Sequence, residues 1–339
     1  MKGEIIMKRR TPIISAVIAA SLILGNSYIY NPIKTGENVV QASVYSQVQP
    51  KGYKETISNE ETPASSAAKA AASNENSKSK SKSEKDTLNN ASDNNTTIDN
   101  GQAQLDLDTL DDGTVGVKYT HSSSLKVKVK IAKGNSNYIY DLFSESDYEY
   151  YPLQMGNGDY TVTVLKNISG NSYSVVNSFD VALKDGSDVF LSSMQLINWD
   201  KSTDAVDKAE EIAANLDNSE EKAEAIHDYL ISYMSYSIDK ARTIKTGYVP
   251  DLDEVYSERT GICYDFASTY AAMMRSVGVP TKLVMGTSSN VNGYHAWNEV
   301  YLNGSWVVVD NSYDSQAKAA GLNPSMIKDS GQYNSQKEY

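Results

Sequence analysis

The stretch GICYDFASTYAAMMRSVGVP, residues 261–280, decides the fold of the second half of the chain. Its apolar side chains recur at steps of three and four residues, which places them on one face of an α-helix. Gly278 suits the position just past a helix end, and Pro280 prevents the helix from continuing. We therefore predict a helix from Cys263 to Val277.

Cys263 is the only cysteine among 339 residues, so the chain cannot form an internal disulfide. It lies in the first turn of the predicted helix, where unpaired N–H groups and the positive end of the helix dipole favour a thiolate over a thiol. The same N–H groups could stabilise an oxyanion. The alternative is a thiol that only packs. A reactive role therefore requires that the sulfur is not sealed in an apolar interior.

A β-hairpin is predicted for YHAWNEVYLNGSWVVVDNSYD, residues 294–314. Two β-rich runs are joined there by Asn303 and Gly304, a strong signal for a two-residue turn. The turn places Leu302 opposite Ser305 and so sets the register of both strands.

This register places His295, Trp297 and Asp310 on one face of the sheet, because side chains alternate along a strand. His295 and Asp310 are diagonal neighbours whose side chains can meet in a hydrogen bond. A carboxylate in that position fixes the tautomer of an imidazole and stabilises its protonated form. The pair supplies the base and the orienting group of a nucleophilic triad, and the alternative is a strand histidine that happens to lie near an aspartate.

Four segments, GICYDFA, VGVPTKLVMG, YHAWNEVYLNGSWVVVD and, more loosely, AIHDYLISYMSYS, resemble the transglutaminase-like superfamily in order and spacing. Together they span about residues 205–314. The resemblance implies a papain-like core in which a helix bearing the cysteine packs on an antiparallel sheet bearing the histidine and the aspartate. By resemblance, Cys263 is the nucleophile, His295 the general base and Asp310 the orienting group.

The resemblance also implies the reaction: the thiolate attacks a carboxamide or peptide carbonyl, and an amine or water resolves the thioester. Trp297, Tyr248 and Tyr264 are the candidate substrate-binding residues, with packing in the sheet as the alternative for Trp297. Tyr248 and Tyr256 are candidates for a second oxyanion donor. Relatives often carry Pro-Thr-Trp after the aspartate, where this chain has Asn-Ser-Tyr at residues 311–313. We recognise no calcium loop and expect no metal or cofactor.

The segments before the core differ in pattern. Short alternating runs such as LKVKVKIA and DYTVTVLKN predict a small, sandwich-like, all-β domain over residues 104–190. The fold class is therefore α+β, with this domain preceding a transglutaminase-like core over residues 200–325 and a C-terminal tail over residues 326–339. His227, on a helical stripe before the core cysteine, is expected at the surface or the core edge.

The N-terminal segment is typical of an exported bacterial protein. Residues 1–42 combine a basic cluster with an apolar run that is short for a membrane span, which predicts a signal peptide, and an uncleaved anchor is the alternative. Residues 43–103 are rich in Ser, Asn and Lys and predict a disordered spacer. We expect a secreted protein, either free or associated with the cell wall, without a membrane span in its mature form.

The formal charge of −12 disfavours nucleic acid as a partner. We expect a protein or peptide substrate in the cell envelope. Three alternatives to a cysteine acyltransferase remain open: a cysteine peptidase or amidase with the same residues, a binding module without activity, and a structural wall protein.

Overall fold

This computed structural model describes residues 101–339 and, before them, residues 32–35, 38–41, 56–57 and 97–99. The predicted signal peptide and spacer lie outside the described residues, apart from these short strands and residues 101–103. Their assignment stays a prediction.

The first half of the described chain consists of strands. They are β1 (Pro32–Thr35), β2 (Asn38–Gln41), β3 (Thr56–Ile57), β4 (Thr97–Asp99), β5 (Gln104–Asp106), β6 (Thr114–Lys118), β7 (Val127–Lys133), β8 (Ser136–Leu142), β9 (Glu149–Pro152), β10 (Gly158–Ser169) and β11 (Ser172–Leu183). One sheet has the order β3-β11-β10-β7-β8 and a second the order β4-β5-β6-β9.

The alternating runs of the sequence form the long antiparallel strands of this domain. In β7, the side chains of Val127, Val129 and Ile131 are buried, while those between them are partly exposed. Buried residues of both sheets, such as Val129 of β7 and Val115 of β6, belong to the same apolar cluster. Strands β3 and β4 belong to the two sheets of this domain although they precede residue 104, the predicted start, because strands of two or three residues have too little alternation to be recognised in sequence.

The second half contains all six helices of the described residues. Its elements are α1 (Thr203–Ala213), α2 (Ser219–Tyr233), β12 (Ser235–Tyr236), α3 (Ile238–Thr243), α4 (Leu252–Glu258), β13 (Thr260–Gly261), α5 (Cys263–Ser276), β14 (Thr281–Ser288), β15 (Tyr294–Leu302), β16 (Ser305–Val309), α6 (Asn311–Ala319), β17 (Ile327–Lys328), a 3₁₀ turn (Ser330–Gln332) and β18 (Tyr333–Glu338). The α+β fold class predicted from the sequence is confirmed.

The two local signals that defined the core are both confirmed. Helix α5 begins at Cys263 and ends one residue earlier than predicted, with Gly278 in the left-handed region at φ +79°. Asn303 and Gly304 also have positive φ values, 51° and 85°, as a two-residue hairpin turn requires. The predicted register of β15 with β16 holds from Leu302 and Ser305 onward.

The end of the chain differs from the prediction. Residues 326–339 were predicted as a tail, but the central sheet has the order β17-β16-β15-β14-β18 and contains both C-terminal strands. Asp310 was predicted within the hairpin strand, but it is the residue that caps α6. Its side chain accepts the backbone N–H of Tyr313, and this bond favours a helix over a longer strand.

Helix α5 is the centre of the molecule, since every residue from Cys263 to Arg275 is buried. The guanidinium of Arg275 donates to the main-chain oxygens of Ser192, Thr281 and Tyr339 at 2.7, 2.8 and 3.0 Å. These bonds join the helix to the linker after the β-domain and to the central sheet. Among the helices of the described residues, none combines the length and apolar character needed to cross a bilayer.

Candidate active site

The start of α5 is built by a buried carboxylate. Asp265, 0% exposed, accepts the backbone N–H of Ile262 at 2.8 Å and so caps the helix in front of the cysteine. Gly261 must be glycine, because a Cβ there would lie 2.6 Å from the Cβ of Asp265. The segment GICYD therefore holds Cys263 in the first turn of a capped helix.

Two side chains from the preceding segment hold Asp265 in turn. The ammonium of Lys240 lies 2.8 Å from one carboxylate oxygen, and the hydroxyl of Tyr248 donates to the other at 2.6 Å. Burial and the adjacent Asp265 raise the pKa of Tyr248 far above its ordinary value, so this phenol stays protonated. Its proton is committed to Asp265, which leaves no proton for the oxyanion role considered for Tyr248.

The other candidate oxyanion donor lies away from the cysteine. Tyr256 belongs to a separate apolar cluster with Phe266 and Tyr270, and its hydroxyl pairs with that of Tyr229 at 2.6 Å. The sequence-based suggestion of a tyrosine donor at 248 or 256 is therefore not supported by the hydrogen bonds that these hydroxyls make.

His295 and Asp310 meet as the hairpin register predicts. Nε2 of His295 lies 2.7 Å from Oδ2 of Asp310, and both side chains are buried. The other carboxylate oxygen accepts the hydroxyl of Ser312 and the backbone N–H of Tyr313, both at 3.1 Å. The positive end of α6 adds to the stabilisation of this carboxylate. The hydroxyl of Tyr333 donates to Oδ2 at 3.0 Å.

These contacts determine the charge of the pair. Burial by itself lowers the pKa of His295, but the charge and hydrogen bond of Asp310, together with the Cys263 thiol, outweigh it and raise the pKa to about 10. Burial raises the pKa of Asp310, and the charge and hydrogen bond of His295 reverse this and hold it below its ordinary value. At neutral pH the imidazole is therefore protonated and the carboxylate ionised. The structure brings all three predicted triad residues together.

The match to known proteins covers this part of the chain. Residues 206–311 match the family model for the transglutaminase-like superfamily. This segment belongs to the transglutaminase-like superfamily. No curated protein matches the chain.

Several solved structures are similar to the chain at low identity. A candidate cysteine protease from Cytophaga hutchinsonii is 18% identical, with 57% of this chain and 66% of that chain covered and a TM-score of 0.34. A candidate protease from Parabacteroides distasonis is 15% identical, with 56% and 41% covered and a TM-score of 0.27. A transglutaminase from red sea bream is 14% identical, with 58% and 47% covered and a TM-score of 0.23. The chain spans less than two thirds of the length of each of them.

The thiol of this transglutaminase-like core is covered. Cys263 is 0% exposed and belongs to a buried cluster that includes Tyr140 of β8 and Tyr264. Tyr138 and Tyr339 pack against the same cluster. The condition that the sulfur is not sealed from solvent is therefore not met in this conformation, although the imidazole of His295 makes the surroundings of the thiol polar on one side.

The candidate substrate-binding residues of the transglutaminase-like core are also buried. Trp297 is 1% exposed, lies with its ring centroid 6.1 Å from that of His295 and packs on Tyr333 at 5.1 Å. Tyr264 is 5% exposed and meets the ring of Tyr248 edge-on. Trp297 offers no surface to a substrate here, so its position agrees with the packing alternative.

Three features of the site were not found from the sequence. Tyr333 lay in the predicted tail, and no local pattern marked it. Lys240 is one of many lysines, and only its contact with Asp265 distinguishes it. His227 is buried rather than at the surface, with Nε2 2.9 Å from Oδ2 of Asp314.

The described residues hold no group of three or more His, Cys, Asp or Glu side chains that could bind a metal ion. The chemistry proposed below needs only the thiol, the imidazole and the carboxylate.

Proposed function

We propose that this protein is a cysteine acyl-transfer enzyme that acts on a carboxamide or peptide carbonyl of an extracellular or cell-wall-associated protein. The observation that carries the proposal is the buried hydrogen bond between His295 and Asp310 beside Cys263. A buried imidazolium beside the only thiol of the chain is suited to hold that thiol as a thiolate.

The steps follow from these three side chains. The thiolate of Cys263 attacks the carbonyl carbon and forms a C–S bond, while the carbonyl oxygen takes the negative charge. The backbone N–H groups in the first turn of α5 stabilise that oxyanion. His295 gives its proton to the leaving ammonia or amine, and a thioester remains. An acceptor amine or water then gives a proton back to His295, attacks the thioester carbonyl and releases the thiolate of Cys263, which restores the starting ion pair.

Asp310 keeps its charge throughout these steps. It holds the imidazole by Nε2 and stabilises the protonated ring, while the cap on α6 fixes the carboxylate itself. Transfer to an amine gives a crosslinker, and transfer to water gives a peptidase or amidase with the same residues.

Because Cys263 is fully covered, turnover also requires an opening between the β-domain and the core. Several of the contacts that close this boundary are aromatic. The ring of Tyr339 meets those of Tyr138 and Tyr140 edge-on at 5.5 and 6.0 Å, and Lys337 lies over the ring of Tyr138. We propose that β8 moves away from the core when substrate binds.

A binding module without activity is the second candidate, and the full burial of the thiol favours it. In that case the His295–Asp310 pair only stabilises the fold. The two candidates differ in whether Cys263 reacts with a carbonyl at all.

The test uses purified protein and the matched variant Cys263→Ala. Each is incubated with a fluorescent primary amine and a glutamine-containing protein, and separately with peptide libraries. We expect incorporation of amine or cleavage of peptide by the wild type only. The same assay on Tyr138→Ala separates a closed cover from an absent activity, because this variant loosens the boundary.

Two results together would reject the enzyme. The first is that neither the wild type nor Tyr138→Ala forms product in the amine assay or the peptide assay. The second is an iodoacetamide rate at pH 7 no higher than that of a free thiol in both the wild type and Tyr138→Ala, which would favour the binding module.

A further inference from the structure

Strand β18 brings Tyr333 to the oxygen that binds the histidine. The strand pairs antiparallel with β14, and Tyr333 lies opposite Ser288 in that ladder. Its hydroxyl donates to Oδ2 of Asp310 at 3.0 Å, and the same oxygen lies 2.7 Å from Nε2 of His295. Two donors therefore share one carboxylate oxygen.

The ring of Tyr333 has a second role in the same place. It packs on Trp297, whose indole also lies beside the ring of His295. The indole and the phenol thus form a wall on one side of the imidazole. Tyr333 lies outside residues 206–311, the part that matches the family model.

We propose that Tyr333 is a positioning residue that sets how tightly His295 holds its proton, acting through the shared oxygen of Asp310. This inference rests on the proposed function of the site. A neutral donor on the carboxylate spreads its negative charge and weakens its attraction for the imidazolium. The hydroxyl of Tyr333 therefore keeps the proton of His295 available for transfer, and its removal strengthens the ion pair.

The other charged or titratable groups around the carboxylate come from different elements. They are Lys328 of β17, which lowers the pKa of Asp310, Asp314 and Tyr313 of α6, and Cys263 of α5 on the imidazole. The side-chain hydrogen bonds to Oδ2 of Asp310 come from His295 and Tyr333, and none of these other described groups donates to that oxygen. A change at the Tyr333 hydroxyl is therefore distinct from a change in the surrounding charges.

The experiment compares wild type with Tyr333→Phe, which keeps the ring on Trp297 and removes only the hydroxyl. The first readout is the titration of the His295 ring by NMR, assigned with His295→Gln. The second is the pH dependence of Cys263 alkylation by iodoacetamide. We expect the pKa of His295 to rise by roughly 0.5–1 pH unit in Tyr333→Phe, because one hydrogen bond to the carboxylate is lost.

Tyr301→Phe is the matched control. Tyr301 lies on the same sheet, 41% exposed, and its ring contacts Trp306 rather than the site. We expect its titration and alkylation profile to equal those of the wild type.

A second replacement reverses the sign. With 3,5-difluorotyrosine in place of Tyr333, the hydroxyl is a stronger donor and the pKa of His295 should fall. This measurement remains available if Tyr333→Phe does not fold.

Two outcomes overturn the inference. One is an unchanged pKa of His295 in Tyr333→Phe, as a purely structural ring contact would give. The other is a rise rather than a fall with the fluorinated residue. The NMR readout needs no turnover, so a protein without acyl transfer that still shows the expected shift would reject the proposed function and keep this inference. A protein that shows acyl transfer, but in which Tyr333→Phe leaves the pKa of His295 unchanged, would keep the proposed function and reject this inference.

Discussion

The variant Asp310→Asn tests the ion pair most directly. Asparagine keeps the shape of the side chain, and its amide oxygen can still accept the N–H of Tyr313 and cap α6. It removes the charge that faces Nε2 of His295 at 2.7 Å. The fold is thus largely preserved while the electrostatics of the site change.

The expected size of the effect on Cys263 alkylation follows from the factors that set the pKa of His295. Its pKa of about 10 lies well above the ordinary 6.5, so the protonated ring is strongly favoured at pH 7. Burial lowers this pKa, and the charge and hydrogen bond of Asp310 supply the main contributions that raise it. Without the carboxylate we expect the imidazole to be neutral at pH 7. A cysteine without a charged partner is ionised to only a few per cent there, so the alkylation rate should fall roughly 30-fold.

The assay is the rate of carboxamidomethylation of Cys263 at pH 7, measured by intact mass, which needs no knowledge of the substrate. Asp314→Asn is the matched control, because Asp314 is also buried on α6 but pairs with His227. We expect that control to keep the wild-type rate. Equal rates for Asp310→Asn and the wild type, with both folded by circular dichroism, would refute the ion pair.

Three further predictions concern the cover, the core and the pH. Tyr138→Ala removes an aromatic contact of β8 with the core, and the alkylation rate of Cys263 should rise about tenfold. Arg275→Met leaves main-chain oxygens without their buried donor, and urea unfolding should show a loss of about 2–3 kcal/mol. The raised pKa of His295 gives stability that is fully present below pH 6.5 and lost as the pH rises towards 10. The free energy of unfolding should fall over that range, and less steeply in His295→Gln.

The parts of the fold that could be predicted are those encoded by neighbouring residues. The end of α5 depends on Gly278 and Pro280, and the hairpin depends on Asn303 and Gly304, so each signal lies within a few residues of the structure it causes. The His295–Asp310 contact was then expected from the register, although Asp310 itself lies just past the strand, at the cap of α6. No information about distant segments was needed.

The parts that could not be predicted depend on pairing across long sequence separations. Strand β18 has the pattern YNSQKE, mostly polar and exposed, because it lies at the edge of the sheet. Nothing in that pattern indicates that its first residue contacts Asp310. The burial of Cys263 was missed for the same reason, since the β-domain that covers it was predicted as a separate accessory unit.

The C-terminal strands explain how the core tolerates two buried carboxylates on one helix. Asp310 and Asp314 lie one turn apart on α6, and each makes ionisation of the other less favourable. Lys328 of β17 bonds to Asp314 and also lowers the pKa of Asp310 by its charge. Tyr333 of β18 donates to Asp310. A core that ended at residue 325 would keep both carboxylates and lose the cation and the phenol that balance them. The segment after the family match therefore contributes to the surroundings of Asp310, because Lys328 lowers the pKa of this carboxylate and Tyr333 donates to it.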